Sequence, residues 1–213
     1  MRALEVDLIA FDWSGTISDD RIPVYRANVS LHKEFGIPIP DFEEWLKTIR
    51  MTVDDAMIEK GVQLDRNTIR KKYEQSFNAV TASGILPTIY PDALAVLSHL
   101  ISRGKRLAVL SSHPDKNLIL ECRRYRLDGF FSFMQGNSRD KALGIREILW
   151  SLDVRQERAM YVGDTIHDVA AAKAAGVHSV AVCTGYHPKE KLQSASPTWL
   201  IDNLLALRNE TIK

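Results

Sequence analysis

The sequence predicts a doubly wound, Rossmann-like α/β fold: a parallel sheet between helices, interrupted by an all-helical insertion. Three observations carry this expectation. Four short apolar runs, Leu8-Ile9-Ala10-Phe11, Leu107-Ala108-Val109-Leu110, Ala159-Met160-Tyr161-Val162 and Ser179-Val180-Ala181-Val182, lack polar alternation, as strands buried on both faces do. Segments with helical spacing separate the later runs, and alternation of strand with helix favours a parallel sheet. The stretch 19–87 holds no such run and reads as amphipathic helix.

Taken in order, the first run ends at Asp12, and the helical insertion follows. Within it, one helix is expected over about 23–35, stopped by Gly36. A second starts at Asp41, whose spacing to Glu44 matches a capping box. A third, over 65–82, carries Ile69, Tyr73, Phe77 and Val80 as an apolar stripe, with Arg70-Lys71-Lys72 on a solvated face. Segments 92–103, 115–126, 139–152 and 167–175 are the helices of the α/β part, with Gly104 and Gly176 placed as C-terminal stops. The expected division is therefore 1–18 with 88–213 as the α/β core, and 19–87 as the insertion.

Composition bounds the function classes. The 213 residues suit one domain with a smaller insertion. With 28 basic against 27 acidic side chains, the formal charge of +1 provides no field to recruit nucleic acid or an anionic membrane. No apolar stretch approaches the roughly 20 residues of a membrane span. Met1-Arg2-Ala3-Leu4-Glu5 leads straight into a strand-like run without a small-residue cleavage site, so a cytoplasmic protein is expected. Cys122 and Cys183, too few for a disulfide framework and without metal-ligand spacing, read as buried reduced thiols.

In open parallel sheets, ligands bind beyond the carboxyl ends of the strands. The residues that follow the runs, Asp12, Ser111, Asp164 and Thr184, are therefore the ones to weigh. Phe11-Asp12-Trp13-Ser14-Gly15-Thr16 puts a carboxylate on a tight turn, where it can act as nucleophile or metal ligand, or merely cap the turn. Gly163-Asp164-Thr165-Ile166-His167-Asp168 puts two carboxylates four apart at a strand-to-helix junction. A hard divalent ion favours such oxygen ligands, although helix N-capping would use the same residues.

These motifs, with Ser111 after the second run and Lys141 opening a later helix, occur in an order that resembles the haloacid dehalogenase superfamily, phosphatase-like members above all. The resemblance runs the length of the chain, and the helical insertion then corresponds to that superfamily's small cap. It implies Mg²⁺ as cofactor, a small phosphorylated metabolite as substrate, and an aspartyl-phosphate intermediate. Asp12 would be the nucleophile and a metal ligand, with Ser14 offering its main-chain carbonyl to the metal. Thr16 would bond within the same loop and border the phosphate. Ser111, through hydroxyl and main-chain N–H, and the adjacent Ser112 would bind phosphoryl oxygens. Lys141 would neutralise phosphate and nucleophile, Asp164 would ligate Mg²⁺, and Asp168 would order the metal shell. An anionic carboxylate needs such cations to approach an anionic phosphate. Arg139 and Asp140 flank Lys141, and Asp140 can pair with either cation.

One position departs from the phosphatase pattern. Where those enzymes carry a second aspartate as general acid and base, this chain has Ser14, a poor acid near neutral pH. The Asp-Trp-x-Gly-Thr form resembles phosphonoacetaldehyde hydrolases, C–P bond hydrolases that use a cap lysine as a Schiff base. Lys47 is the candidate here, on a helix whose stripe is Phe42, Trp45 and Ile49; a Glu43–Lys47 surface pair is the plainer reading. A metal-independent haloacid dehalogenase would not need Asp164 and Asp168. A non-catalytic phosphate-binding regulator would keep the site without turnover. Trp13 either stacks on substrate or insertion, or fills the seam between the two parts; His113 lines the cleft or is an ordinary loop histidine.

Overall fold

The computed structural model describes residues 4–49 and 52–208. Met1, Arg2 and Ala3, read above as part of the N-terminal segment, lie outside the described residues. In chain order the elements are β1 (Leu8–Phe11), β2 (Ser18–Asp19), α1 (Arg21–Glu34), α2 (Phe42–Thr48), α3 (Val53–Glu59) and α4 (Arg66–Ala82). Then come β3 (Thr88–Ile89), α5 (Ala93–Ser102), β4 (Arg106–Leu110), α6 (Asp115–Arg124), β5 (Phe133–Gln135) and α7 (Lys141–Ser151). The chain continues through β6 (Ala159–Gly163), α8 (Ile166–Ala175), β7 (His178–Val182), α9 (Lys189–Ser194) and β8 (Trp199–Ile201). No helix among the described residues is long and apolar enough to cross a membrane.

The chain divides into two units: the described residues up to Asp19 and from Thr88 onward, and Asp20–Pro87. The first unit is built on a six-stranded sheet in the order β5-β4-β1-β6-β7-β8, with every pairing parallel. Successive strand residues feed opposite layers, which is why the runs show no polar alternation. Ile9, Phe11, Leu107, Val109, Met160 and Val162 pack on one face with Val96, Leu97 and Leu100 of α5 and Leu118 of α6. Leu8, Ala10, Ala108, Leu110 and Tyr161 pack on the other with Ile145 and Ile148 of α7 and Ala172 of α8. Because β1 lies between β4 and β6, the topological switch point falls at its carboxyl end. Strands β2 and β3 form an antiparallel ribbon where the chain leaves this unit and re-enters it.

The second unit is helical. Its core joins Leu31 of α1, Met57 of α3 and Ile69 of α4, with Phe35, Val53 and Tyr73 packed around them. Asp41 N-caps α2 by accepting the Glu44 N–H at 3.0 Å, and Asp65 caps α4 by accepting from Asn67 and Thr68. Among its described residues the unit has four helices, α3 being one more than the segments named from spacing. Arg70 does not sit on a solvated face: with Arg66 it binds the buried carboxylate of Asp54 at 2.7 Å, while Lys72 pairs with Glu34. Lys47 pairs with Glu44 at 3.3 Å rather than with Glu43, its side chain 65% exposed, and α2 ends before Ile49. Both cysteines are free of disulfides; Cys122 is buried, but Cys183 is only half-buried.

Candidate active site

Apart from Lys47, on α2 of the helical unit, the residues singled out from the sequence for chemistry lie in the α/β unit, and most stand at the carboxyl ends of β1, β4 and β6. Asp12 directly follows β1 and is 6% exposed. Its Oδ1 accepts the N–H of Trp13 at 2.7 Å, and its Oδ2 accepts from Lys141 Nζ at 2.8 Å. Lys141 opens α7, and its ammonium also donates to Asp168 Oδ1 at 2.6 Å. Asp140 takes neither cation; it N-caps α7 through the Leu143 N–H.

Asp168 caps its helix and also faces Lys141. It is the third residue of α8, where it closes a capping box with Thr165: Oδ2 accepts from the Thr165 N–H and Oγ1, and the Asp168 N–H donates to Thr165 Oγ1. Its other oxygen is left for Lys141. Asp164, just beyond β6 and fully buried, accepts the Tyr186 N–H at 2.7 Å and the Thr16 hydroxyl at 3.3 Å. The Thr16 hydroxyl therefore bonds across to Asp164, while its N–H bonds within the loop to the Trp13 carbonyl at 3.3 Å.

Glycines let backbone crowd this carboxylate. A Cβ on Gly15, whose φ is +74°, would lie 2.3 Å from an Asp164 oxygen, and one on Gly185 would lie 2.0 Å away. No larger residue fits either position without displacing Asp164. Gly185 belongs to the turn after β7, where Thr184 Oγ1 donates to the Gly15 carbonyl at 2.9 Å and ties that turn to the loop after β1.

The electrostatics follow from burial. Carboxylate oxygens of Asp12, Asp164 and Asp168 lie within 4.8 Å of one another, and all three residues are buried. Burial pushes the Asp12 carboxyl above its usual range, opposed by Lys141 and reinforced by Asp168. Burial, with Asp168 and Asp12 beside it, pushes Asp164 well above its ordinary value as well. For Lys141, burial disfavours the ammonium, but the charges of Asp12 and Asp168 outweigh it and hold its pKa well above the ordinary value. One lysine cannot offset three carboxylates. A compact, all-oxygen cluster with surplus negative charge fits a hard divalent cation.

Ser111 follows β4 and is buried. Its main-chain N–H is taken by the Gln135 carbonyl at 2.9 Å, so the expected N–H contact to a ligand is spent on the sheet. Its hydroxyl remains: Oγ accepts the His113 N–H at 3.2 Å, which leaves its own hydrogen to donate. Ser112 is exposed, and Ser14 is half-buried on the turn, bridged to Ser18.

Several surroundings were not foreseen. Trp13 is buried inside the α/β unit against Tyr125 and Phe131, with its indole donating to Glu121. His113 also binds Glu121. His187 accepts the N–H of Ile166, the first residue of α8; burial, with Lys191 and His167 nearby, lowers its pKa to about 4 and keeps it a neutral acceptor. Sequence spacing carried no signal for Glu121 or His187, because each meets its partner through the fold.

Comparison with known proteins adds the family. A profile described as haloacid dehalogenase-like hydrolase matches residues 9–182. The phosphoglycolate phosphatase of Synechococcus elongatus is 27% identical over 201 residues, covering 91% of this chain and 92% of that protein. Phosphoglycolate phosphatase 1 of Pseudomonas aeruginosa is 25% identical over 211 residues, covering 92% and 76%. Among solved structures, a haloacid dehalogenase-like family hydrolase from Streptococcus pneumoniae superposes with a TM-score of 0.80 at 21% identity, covering 95% of this chain and 96% of that one.

Proposed function

We propose, from the premise that this chain belongs to the haloacid dehalogenase-like hydrolases, that it is a Mg²⁺-dependent phosphatase of a small organic phosphate. The observation that carries the reading is the position of Lys141, whose ammonium bridges Asp12 and Asp168 inside a buried acidic cluster. That arrangement suits a phosphate held beside a carboxylate nucleophile. Asp12, Asp164 and Asp168, with the Ser14 carbonyl, are the residues that would hold Mg²⁺. The bound ion supplies Lewis-acid polarisation of phosphoryl oxygen and offsets repulsion between the anions.

The chain's own residues do the rest. Trp13 N–H fixes Asp12 Oδ1, so the nucleophile is oriented before substrate arrives. An Asp12 oxygen attacks phosphorus and the ester oxygen departs, leaving an aspartyl-phosphate on Asp12 that water hydrolyses. Lys141 neutralises the equatorial oxygens as charge builds, and the Ser111 hydroxyl donates to one of them. With serine at position 14, no carboxylic acid stands two residues beyond the nucleophile to protonate the departing oxygen. Leaving groups that need no proton, aryl and acyl phosphates, are therefore favoured.

The named relatives make short acidic monoesters such as phosphoglycolate the first substrates to assay. A panel of phosphorylated metabolites, each with Mg²⁺ and with EDTA, tests the reading. Hydrolysis of at least one monoester that EDTA abolishes and Mg²⁺ restores is expected. Turnover indifferent to chelation, or none across the panel, would overturn it.

A further inference from the structure

The α/β unit holds a further buried carboxylate that none of the roles above uses. Glu121, on α6, is 4% exposed. Its Oε2 accepts the Trp13 indole Nε1–H at 2.7 Å and the Ser18 hydroxyl at 3.0 Å, and its Oε1 meets His113 Nε2 at 3.2 Å. Ser18 spends its single hydrogen on Glu121, so Tyr125 is the donor in the 2.9 Å contact between Tyr125 and Ser18. Accepting from Trp13 and His113 on opposite oxygens, the carboxylate ties the loop after β1 to the loop after β4.

Those two residues are the ones whose main-chain N–H groups hold the reacting parts. The Trp13 N–H fixes Asp12 Oδ1, and the His113 N–H fixes Ser111 Oγ. We infer that Glu121 is a positioning residue: through Trp13 and His113 it sets the separation of the nucleophile and the phosphate-binding hydroxyl. Burial works against its charge, but the His113, Trp13 and Ser18 contacts outweigh it and hold the carboxyl below its ordinary range, so it stays an acceptor on both oxygens. A group needed only for packing would not have to be charged; burying a carboxylate is costly unless its hydrogen bonds are complete. The inference rests on the roles of Asp12 and Ser111 proposed above.

The test is Glu121→Gln, which keeps the shape but must turn an amide NH₂ toward one set of donors. It is measured with Mg²⁺ and p-nitrophenyl phosphate, alongside Trp13→Phe, His113→Ala and the doubles with Glu121→Gln. A misplaced nucleophile should lower kcat about 10- to 100-fold with KM little changed. The indole N–H resonance of Trp13 should move upfield as its charged acceptor is lost. Each second substitution should add less than its own effect, since all act through one carboxylate. A kcat within twofold of wild type, or fully additive doubles, would overturn the inference while the phosphatase reading stands. Should the wild type turn over no monoester, the proposed function falls. Binding of inorganic phosphate with Mg²⁺ then decides the inference: a several-fold weaker affinity in Glu121→Gln supports it, and equal affinities overturn it.

Discussion

The two units bury carboxylates in opposite ways. In the helical unit, Asp54 is 1% exposed and faces both Arg66 and Arg70, with Arg66 also pairing with Asp55, so two cations meet two carboxylates. In the α/β unit, Asp12, Asp164 and Asp168 share one lysine, Lys141, and negative charge exceeds positive. The consequence appears in the acidities. Burial would raise the Asp54 carboxyl, but Arg70 and Arg66 override it and lower the pKa to about 2. Burial raises Asp12 and Asp164, and a single lysine cannot reverse it. An acid with its charge balanced within the fold ties helices together. A cluster with its charge left unbalanced is poised to take a cation.

The contrast breaks first at Asp12, the proposed nucleophile. Asp12→Asn keeps shape and removes charge; kcat should fall by at least about 10³-fold while the thermal transition persists. Residual activity within about tenfold, a barrier change of only ~1.4 kcal/mol, is too small for a lost nucleophile. Ser14→Asp is the next largest effect. General acid catalysis contributes about 10²–10⁴-fold, so alkyl phosphate turnover should rise on the order of tenfold or more, with aryl phosphates nearly unchanged. No gain in a folded variant, together with equal wild-type rates on both ester classes, would refute the account of position 14.

Stability sharpens the same comparison. Since Asp164 is raised above 3.8 in the fold, the folded cation-free protein keeps a proton that the unfolded chain releases. That stability is complete below the unfolded value and is lost as pH rises through the elevated one. Mg²⁺ should therefore raise the thermal midpoint most at neutral and higher pH, and Asp164→Asn should remove most of that increment. Asp54 has the opposite sign: its contribution is present above 3.8 and disappears as pH falls through about 2. Asp54→Asn should cost about 1–2 kcal/mol at neutral pH, because its arginine partners are partly solvated. That cost should shrink in acid, as urea unfolding at two pH values would reveal. The smallest effect is expected at Lys47, an exposed ion pair with Glu44. Lys47→Ala should change stability by under about 0.5 kcal/mol and keep turnover of phosphate esters, and borohydride with phosphonoacetaldehyde should leave Lys47 unlabelled. A labelled Lys47 peptide would point to C–P bond hydrolysis instead.

What the sequence disclosed depended on how local the cause was. β1, β4, β6 and β7 were legible because strands covered on both faces need unbroken apolar runs. The edge strands β5 and β8, three residues each, were not, since Phe133–Gln135 carries little apolar pattern of its own. Asp12, Lys141, Asp164 and Asp168 could be read as a set from motif order, and the fold brings their charged groups together. Contacts made across the chain could not be read. Arg70 looked like solvated surface because Asp54 lies sixteen residues away, and Glu121 lies 108 residues from Trp13. Thr16 bonds locally through its N–H, but the partner of its hydroxyl, Asp164, lies 148 residues away.

The bond from Ser111 N–H to the Gln135 carbonyl links the loop after β4 to the outermost strand of the sheet. A margin strand of three residues opens more readily than the interior, so this amide should exchange with deuterium at the rate at which β5 frays rather than at the rate of global unfolding. Exchange at Ser111 thus becomes a clock for the sheet's edge. A phosphate analogue that grips the Ser111 hydroxyl should slow it, while amides of β1 keep their pace.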